Sequence, residues 1–129
     1  MCVFCKIVKG ELPTNLVYED DVVMAILDIS QATKGHTLVI PKKHFVNIYD
    51  VDEDTVKHMI TVCKKMAILL TDKLNADGCN IVSNNNEPAG QAVNHIHFHV
   101  IPRYVGDDYY IRGQVHEYDL KEILDTIKK

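Results

Sequence analysis

Three histidines at alternating positions, His95, His97 and His99, give this sequence its densest group of reactive side chains. Because successive side chains of a β-strand point to opposite faces, this spacing puts the imidazoles on one face and the apolar residues between them on the other. A neutral imidazole can act as a nucleophile, a proton carrier or a metal ligand. The spacing therefore predicts a strand that packs one face on the core and presents a catalytic face, or a purely metal-binding one, on the other side.

A second candidate site lies at the amino end, where Cys2 and Cys5 form a C-x-x-C motif. Structural zinc takes four ligands, so this pair would need two more, and neutral imidazoles are a natural source. The motif alone leaves two interpretations open: half of a zinc site, or two buried thiols without a metal. Cys63 and Cys79 follow no ligand spacing, and Cys63 is expected to be a small core residue on a helix.

Length and composition limit the class of protein. The 129 residues, 47% hydrophobic and 25% charged, fit one globular domain, with a core at 1–104 and a C-terminal tail at 105–129. A formal charge of −4 gives no basic field for a nucleic acid polymer. No apolar run reaches the ~20 residues that span a bilayer, so no membrane partner is expected. Four cysteines without a recognisable signal peptide predict reduced thiols in the cytoplasm.

The elements that must position these groups follow from hydrophobic periodicity and turn residues. Helices are expected over 4–9, 52–75 and 119–129, and strands over 16–19, 22–28, 36–41, 79–84 and 93–101. The long helix carries an apolar stripe of Val56, Met59, Ile60, Cys63, Met66, Ala67, Leu70 and Leu74. His58 lies outside this stripe and is expected to be exposed. The predicted fold class is α+β, an antiparallel sheet of about five strands with one long helix and short terminal helices.

The sequence resembles the histidine triad family of nucleotide hydrolases and transferases. The resemblance rests on the alternating histidines, on Gly90-Gln91 before them, and on blocks at Phe4-Cys5-Lys6-Ile7, Tyr18-Glu19-Asp20, Leu27-Asp28-Ile29 and Gly35–Lys42. It covers residues 1–104, and the ending Pro102-Arg103 resembles the bacterial and dinucleotide-hydrolase branches. Members of the family pair as two-fold dimers through the helix and a sheet edge, so the resemblance implies a homodimer.

The family's activity implies a covalent histidine. His97 would attack the α-phosphorus of a purine nucleotide conjugate, such as a nucleoside phosphoramidate, and form a nucleotidyl-histidine intermediate. His99 would donate to a phosphate oxygen, while His36 would help to order the triad and His95 would complete the catalytic group. The expected nucleotide-binding residues are Phe4, Ile7, Ile26, Asp28, Ile29, Asn84, Gln91, Val93, His97 and His99. Among them, the acid at 28 would accept ribose hydroxyls, and the two amides at 84 and 91 would be neutral donors to phosphate oxygens.

Some members of the family close a Cys-Cys-His-His zinc site with two histidines. The matching positions are the histidine after the Pro-Lys turn, His44, and the first of the triad, His95. The resemblance therefore implies a structural zinc ion held by Cys2, Cys5, His44 and His95, and no organic cofactor.

One position departs from the family pattern. Many phosphoramidase members carry a serine after Gly-Gln that helps to protonate the leaving amine, whereas this chain has Ala92. The substrate range then widens to phosphosulfates, fluorophosphates and dinucleoside polyphosphates. Two further functions stay open: a zinc-dependent hydrolase with the three triad histidines as ligands, and a nucleotide-binding adaptor without useful turnover.

Overall fold

The computed structural model describes residues 2–110 and 113–129; Met1, Ile111 and Arg112 of the predicted domain and its tail lie outside the described residues. The elements are α1 (Val3–Val8), β1 (Leu16–Glu19), β2 (Val23–Leu27), β3 (Thr37–Pro41), α2 (Glu53–Leu74), β4 (Gly78–Ser83), a 3₁₀ turn (Glu87–Ala89), β5 (Phe98–Arg103) and α3 (Leu120–Ile127). The five strands form one antiparallel sheet in the order β1-β2-β3-β5-β4. This confirms the predicted α+β class.

Helix α2 covers one face of the sheet. Asp52 caps its first turn by accepting a hydrogen bond from the backbone N–H of Thr55, and Asn75 ends it in the left-handed conformation, with φ 54°. The helix buries Met59, Val62, Cys63, Met66 and Leu70. The predicted stripe was therefore shifted at one position: Val62 is fully buried, whereas Ile60 is 45% exposed.

Helix α1 covers the opposite face of the sheet at β2 and β3. Alternation along β2 sends Val23 and Ala25 into the cluster under α2, and sends Met24 and Ile26 towards Phe4 of α1. Both faces of these central strands are thus buried. The sheet is enclosed here between the long helix and the first helix, which places the edge of α1 beside the triad.

The triad segment enters the sheet later than predicted. Strand β5 starts at Phe98, so His95 and His97 precede it. The backbone N–H of Ile96 donates to the carbonyl of Phe45 rather than to a neighbouring strand, at 2.7 Å, and this holds the segment outside the ladder. The alternation survives nevertheless, because Ile96 and Phe98 still pack in the cluster under α2 while the histidines face the other side.

The β1–β2 turn is built around Asp20. Its carboxylate accepts hydrogen bonds from the backbone N–H groups of Val22 and Val23 and from the hydroxyl of Tyr18. It also lies 2.7 Å from Nε2 of His58. His58 is half-buried, so the prediction that it is exposed was wrong. Burial alone would raise the pKa of Asp20, but these hydrogen bonds outweigh it and hold that pKa well below its usual range.

The tail contributes an isolated amphipathic helix. Asp119 caps α3 by accepting from the backbone N–H groups of Lys121 and Glu122, as its sequence predicted. Its apolar residues, Leu120, Ile123, Leu124 and Ile127, are exposed. Of the helices in the described ranges, none combines the length and apolar composition needed to cross a lipid bilayer.

Candidate active site and metal cluster

A cavity of about 410 Å³ opens in front of the triad, between α1, the end of β2 and the triad segment. Its apolar lining comes from α1 and the central strands, and includes the buried side chains of Phe4 and Ile26. His97, His99 and Asp28 supply its polar lining, and the ring of His97 lies 5.1 Å from that of Phe4. Such a cavity suits a ligand with one flat apolar part and one polar part.

The hydrogen bond of His97 determines which nitrogen carries its proton. Nδ1 of His97 lies 2.8 Å from the backbone carbonyl of His95, and a carbonyl can only accept. The proton is therefore on Nδ1, and the lone pair is on Nε2. Because His97 lines the cavity, this arrangement offers an unprotonated ring nitrogen to a ligand there.

The tautomer of His99 is determined through His36. The backbone N–H of Ala32 donates to Nδ1 of His36 at 3.1 Å, so the proton of His36 is on Nε2. That Nε2 lies 2.9 Å from Nδ1 of His99, which must then accept. His99 consequently carries its own proton on Nε2. The cavity thus holds a lone pair on one histidine and an N–H donor on the next, with ring centroids 5.0 Å apart.

All of these rings are neutral at neutral pH. Burial lowers the pKa of His97 and, offset in part by the carboxylate of Asp28, that of His36. Burial and then the neighbouring rings of His97 and His36 lower the pKa of His99 to about 4. A lowered pKa keeps the lone pair of His97 available, because protonation would remove it.

The second cluster joins four side chains beside the triad: Cys2, Cys5, His44 and His95. Nδ1 of His95 lies 3.4 Å from Sγ of Cys2, 3.5 Å from Sγ of Cys5 and 3.1 Å from Nδ1 of His44. A tetrahedral zinc ion, ~2.3 Å from sulfur and ~2.0 Å from nitrogen, separates sulfur from nitrogen by about 3.5 Å and two nitrogens by about 3.3 Å. The cluster therefore fits a tetrahedral metal ion of this size.

The hydrogen bond of the other ring nitrogen of His95 also favours metal binding at this cluster. Nε2 of His95 lies 2.8 Å from the carbonyl of Pro41, so it carries the proton and leaves the Nδ1 lone pair for the cluster. A backbone acceptor on the free nitrogen is the usual arrangement for a metal-ligating histidine. The backbone carbonyl of His95 meanwhile accepts from His97, so one residue contacts both sites.

Comparison with known proteins agrees with this geometry. The HIT domain model matches residues 9–106. The chain belongs to the HIT domain family. An uncharacterised HIT-like protein of Methanocaldococcus jannaschii is 50% identical over 129 residues, which cover 99% of each chain. The adenosine 5′-monophosphoramidase of Schizosaccharomyces pombe is 37% identical over 102 residues, 79% of this chain and 74% of that one.

A solved structure of a HIT-family protein is similar to this chain in both fold and sequence. The zinc-bound histidine triad family protein of Mycobacterium smegmatis has a TM-score of 0.82 and 41% identity, covering 98% of this chain and 96% of that chain. The likeness supports the fold of this HIT domain directly. That protein is zinc-bound, and this chain offers four suitable ligands in the cluster of Cys2, Cys5, His44 and His95.

Most residues that the sequence predicted for this HIT-family site line the cavity. These are Phe4, Ile7, Ile26, Asp28, Ile29, Val93, His97 and His99. Ile29 is at the rim, 96% exposed. Other lining residues were not predicted, among them Thr14, Ser30 and Leu38. Leu38 was detectable, because it lies opposite Ile26 in the β2–β3 register and so shares its face.

Four predicted residues lie elsewhere. Asn84 and Gln91 are not among the lining residues. Both N–H groups of the Gln91 amide donate to backbone carbonyls, those of Val46 and Val93, so its side chain holds the loop and leaves no donor for a phosphate. His95 is fully buried and His36 lies behind His99, so both act on the cavity through a neighbour instead of touching it.

Proposed function

We propose that this HIT domain is a nucleotide hydrolase or transferase that acts at the α-phosphorus of a purine nucleotide conjugate through a covalent nucleotidyl-histidine. The observation that carries the proposal is the hydrogen bond from Nδ1–H of His97 to the carbonyl of His95, which directs a lone pair into the cavity. A buried neutral imidazole with a fixed tautomer is a ready nucleophile.

The cavity fits the two other parts of a nucleotide. A purine would lie against the apolar lining of the cavity, at Phe4 and Ile26. Asp28 would accept hydrogen bonds from the ribose hydroxyls; one of its oxygens already accepts from the backbone N–H of Ser30, and the other faces Nε2 of His36 at 3.5 Å. A carboxylate has enough lone pairs for both.

The chemistry follows from the tautomers. Nε2 of His97 forms a bond to phosphorus, and the bond from phosphorus to the leaving group breaks, taking its electron pair with the leaving group. The imidazolium that results is stabilised by the carbonyl of His95. Nε2–H of His99 donates to a phosphate oxygen as charge develops. Water then attacks phosphorus and loses a proton to the solvent, and the electron pair of the P–N bond returns to Nε2 of His97.

The leaving group is the least determined part of the substrate. The S. pombe relative is named as an adenosine 5′-monophosphoramidase, which supports a phosphoramidate. Ala92 lines the cavity without a hydroxyl, so protonation of a leaving amine must come from the substrate, from water or from another residue. We therefore place phosphosulfates, fluorophosphates and dinucleoside polyphosphates beside phosphoramidates as candidates.

Zinc is proposed as the ion in the cysteine–histidine cluster. Cys2, Cys5, His44 and His95 would hold it, and the chemistry that it supplies there is a structural cross-link. His97 belongs to neither potential metal cluster in the described chain, the other being Asp28, His36 and His99. This disfavours the alternative in which the three triad histidines bind a catalytic zinc ion.

A homodimer and a cytoplasmic location complete the proposal. Ile60 and Ile68 are 45% and 61% exposed on α2, and Ile81 is 43% exposed on the edge strand β4. These residues offer an apolar helix surface and a free sheet edge for a second copy. The free thiols of Cys2 and Cys5 fit a reducing compartment.

Intact-protein mass spectrometry tests the mechanism. Protein is mixed briefly with adenosine 5′-phosphoramidate, quenched in acid and compared with His97→Ala and His99→Ala. We expect a nucleotidyl adduct on the wild type, none on His97→Ala, and slow formation on His99→Ala. Turnover that persists in His97→Ala would refute the nucleophile assignment. Nucleotide binding without any turnover would support the adaptor function instead, and turnover abolished by a chelator without an adduct would support catalytic zinc.

A further inference from the structure

Helix α1 contributes to both sites at once. Its residues Cys2 and Cys5, at the cap and in the first turn, contact His95 and His44 in the metal cluster. On another side of the same helix, Phe4 and Ile7 line the nucleotide cavity. A helix that is shared in this way cannot shift at one site without shifting at the other.

The attachment of α1 to the rest of the protein is slight. The helix has six residues, fewer than an isolated helix needs to be stable in water. Within the described chain, the hydrogen bonds that join residues 2–9 to other elements all involve Cys2 or Cys5. Phe4 is the one buried apolar residue of the helix and belongs to a cluster with Met24 and Leu38, while Ile7 and Val8 are only partly buried against that cluster. A metal ion bonded to both thiols would therefore be a major constraint on the position of this helix.

We infer that Cys2 and Cys5 are positioning residues for nucleotide recognition: a metal ion on them holds α1 against the sheet and so builds the Phe4–Ile7 wall of the cavity. The inference rests on the proposed nucleotide site. It makes metal binding and nucleotide binding reinforce each other, because each favours the same docked position of α1. Such coupling is reciprocal, so both affinities must change by the same factor.

A second connection runs through the main chain and has to be separated from the first. The carbonyl of His95, a member of the metal cluster, accepts the Nδ1–H of His97. Loss of the metal would then change AMP binding through the position of His97 and not through the Phe4–Ile7 wall of the cavity. The two connections differ in one respect: the first is carried by the side chain of Phe4 in the cavity wall, whereas the second is carried by the backbone carbonyl of His95.

Calorimetry with AMP, a probe that is not turned over, measures the coupling on the full chain. AMP affinity is compared between zinc-loaded and chelator-treated protein, and zinc affinity is measured with and without saturating AMP. We expect removal of zinc to weaken AMP binding at least about tenfold, and removal of AMP to weaken zinc binding by the same factor. Cys5→Ser should reproduce the chelated state, whereas Lys9→Ala, an exposed change at the end of α1, should match the wild type.

The Phe4→Ala variant identifies the route. If the wall carries the coupling, zinc removal changes AMP affinity less than about threefold in this variant. A full tenfold change there would overturn the inference in favour of the main-chain route. Ile7→Ala, at a half-buried position, gives the same comparison if Phe4→Ala fails to fold.

Hydrogen exchange separates local from global effects. We expect chelation to accelerate exchange of the α1 amides while those of α2 stay protected; acceleration in both helices would show a general loss of stability and overturn the inference. Equal AMP affinity with and without zinc overturns the inference but leaves the nucleotide site intact. AMP binding to neither form refutes the proposed function and the inference with it.

Discussion

Protonation of His99 should destabilise the fold in mild acid. In the folded protein, burial and the neighbouring rings of His97 and His36 lower the pKa of His99 to about 4, whereas an unfolded chain has a histidine pKa of about 6.5. The unfolded state therefore binds the proton more readily. The contribution of His99 to stability is fully present above about pH 6.5 and is lost as the pH falls towards 4.

The size of this effect follows from the two pKa values. With about 6.5 in the unfolded state and about 4 in the folded state, the free energy of unfolding falls by about 2 kcal/mol at pH 5 and by about 3 kcal/mol at pH 4, relative to pH 7.5. Small domains are stable by only about 5–15 kcal/mol, so the loss is measurable.

Urea unfolding followed by circular dichroism at pH 7.5 and pH 5 measures it, with His99→Gln beside the wild type. We expect the wild type to lose about 2 kcal/mol more than the variant between the two pH values. The metal cluster is present in both proteins, so its pH dependence cancels in the difference. His116→Gln removes an exposed histidine of the tail and should follow the wild type. Equal losses in the wild type and His99→Gln would refute the reasoning.

Three further single substitutions and one double variant test structural roles through urea unfolding. Gln91→Ala should cost about 2–3 kcal/mol, because the amide makes four hydrogen bonds to the loops around it; a loss below about 0.5 kcal/mol would contradict its role as a loop support. Gly35→Ala should cost about 2 kcal/mol or more, since φ is +94° and the new Cβ would collide with Leu74; a neutral result would show that the helix end yields. Asp20→Asn should lower the free energy of unfolding by about 1–2 kcal/mol, because it weakens the hydrogen bonds that Asp20 makes with His58 and with the backbone of the turn. If His58 acts on stability only through Asp20, His58→Gln in the Asp20→Asn background should lower it little further.

The parts of the fold that depend on local chemistry were predictable from the sequence. Alternation along residues 95–100 correctly separated the histidine face from the core face, because a period of two is a property of extended backbone itself. The ends of α2 and α3 were recognised within a residue or two, because Asp52 and Asp119 cap them by bonds to nearby backbone N–H groups.

The parts that depend on distant partners were not predictable. The late start of β5 depends on Phe45, whose carbonyl takes the N–H of Ile96. The role of Gln91 as a loop support depends on its hydrogen bond to the Val46 carbonyl, 45 residues away. His58 lies 38 residues from its partner in the β1–β2 turn. In each case the polar group, a backbone N–H or a common side chain, could bond to many partners, and only the tertiary path of the chain selects one.

The tautomers of His95, His97 and His36 are each fixed by a hydrogen bond to a main-chain group and not to a side chain. The carbonyl of Pro41 orients His95, the carbonyl of His95 orients His97, and the N–H of Ala32 orients His36. Substitutions elsewhere in the cavity leave these peptide groups in place. Descendants of such a sequence can therefore exchange cavity side chains and acquire new substrates while inheriting the same nucleophile, which gives this chemistry an unusual tolerance to evolutionary drift.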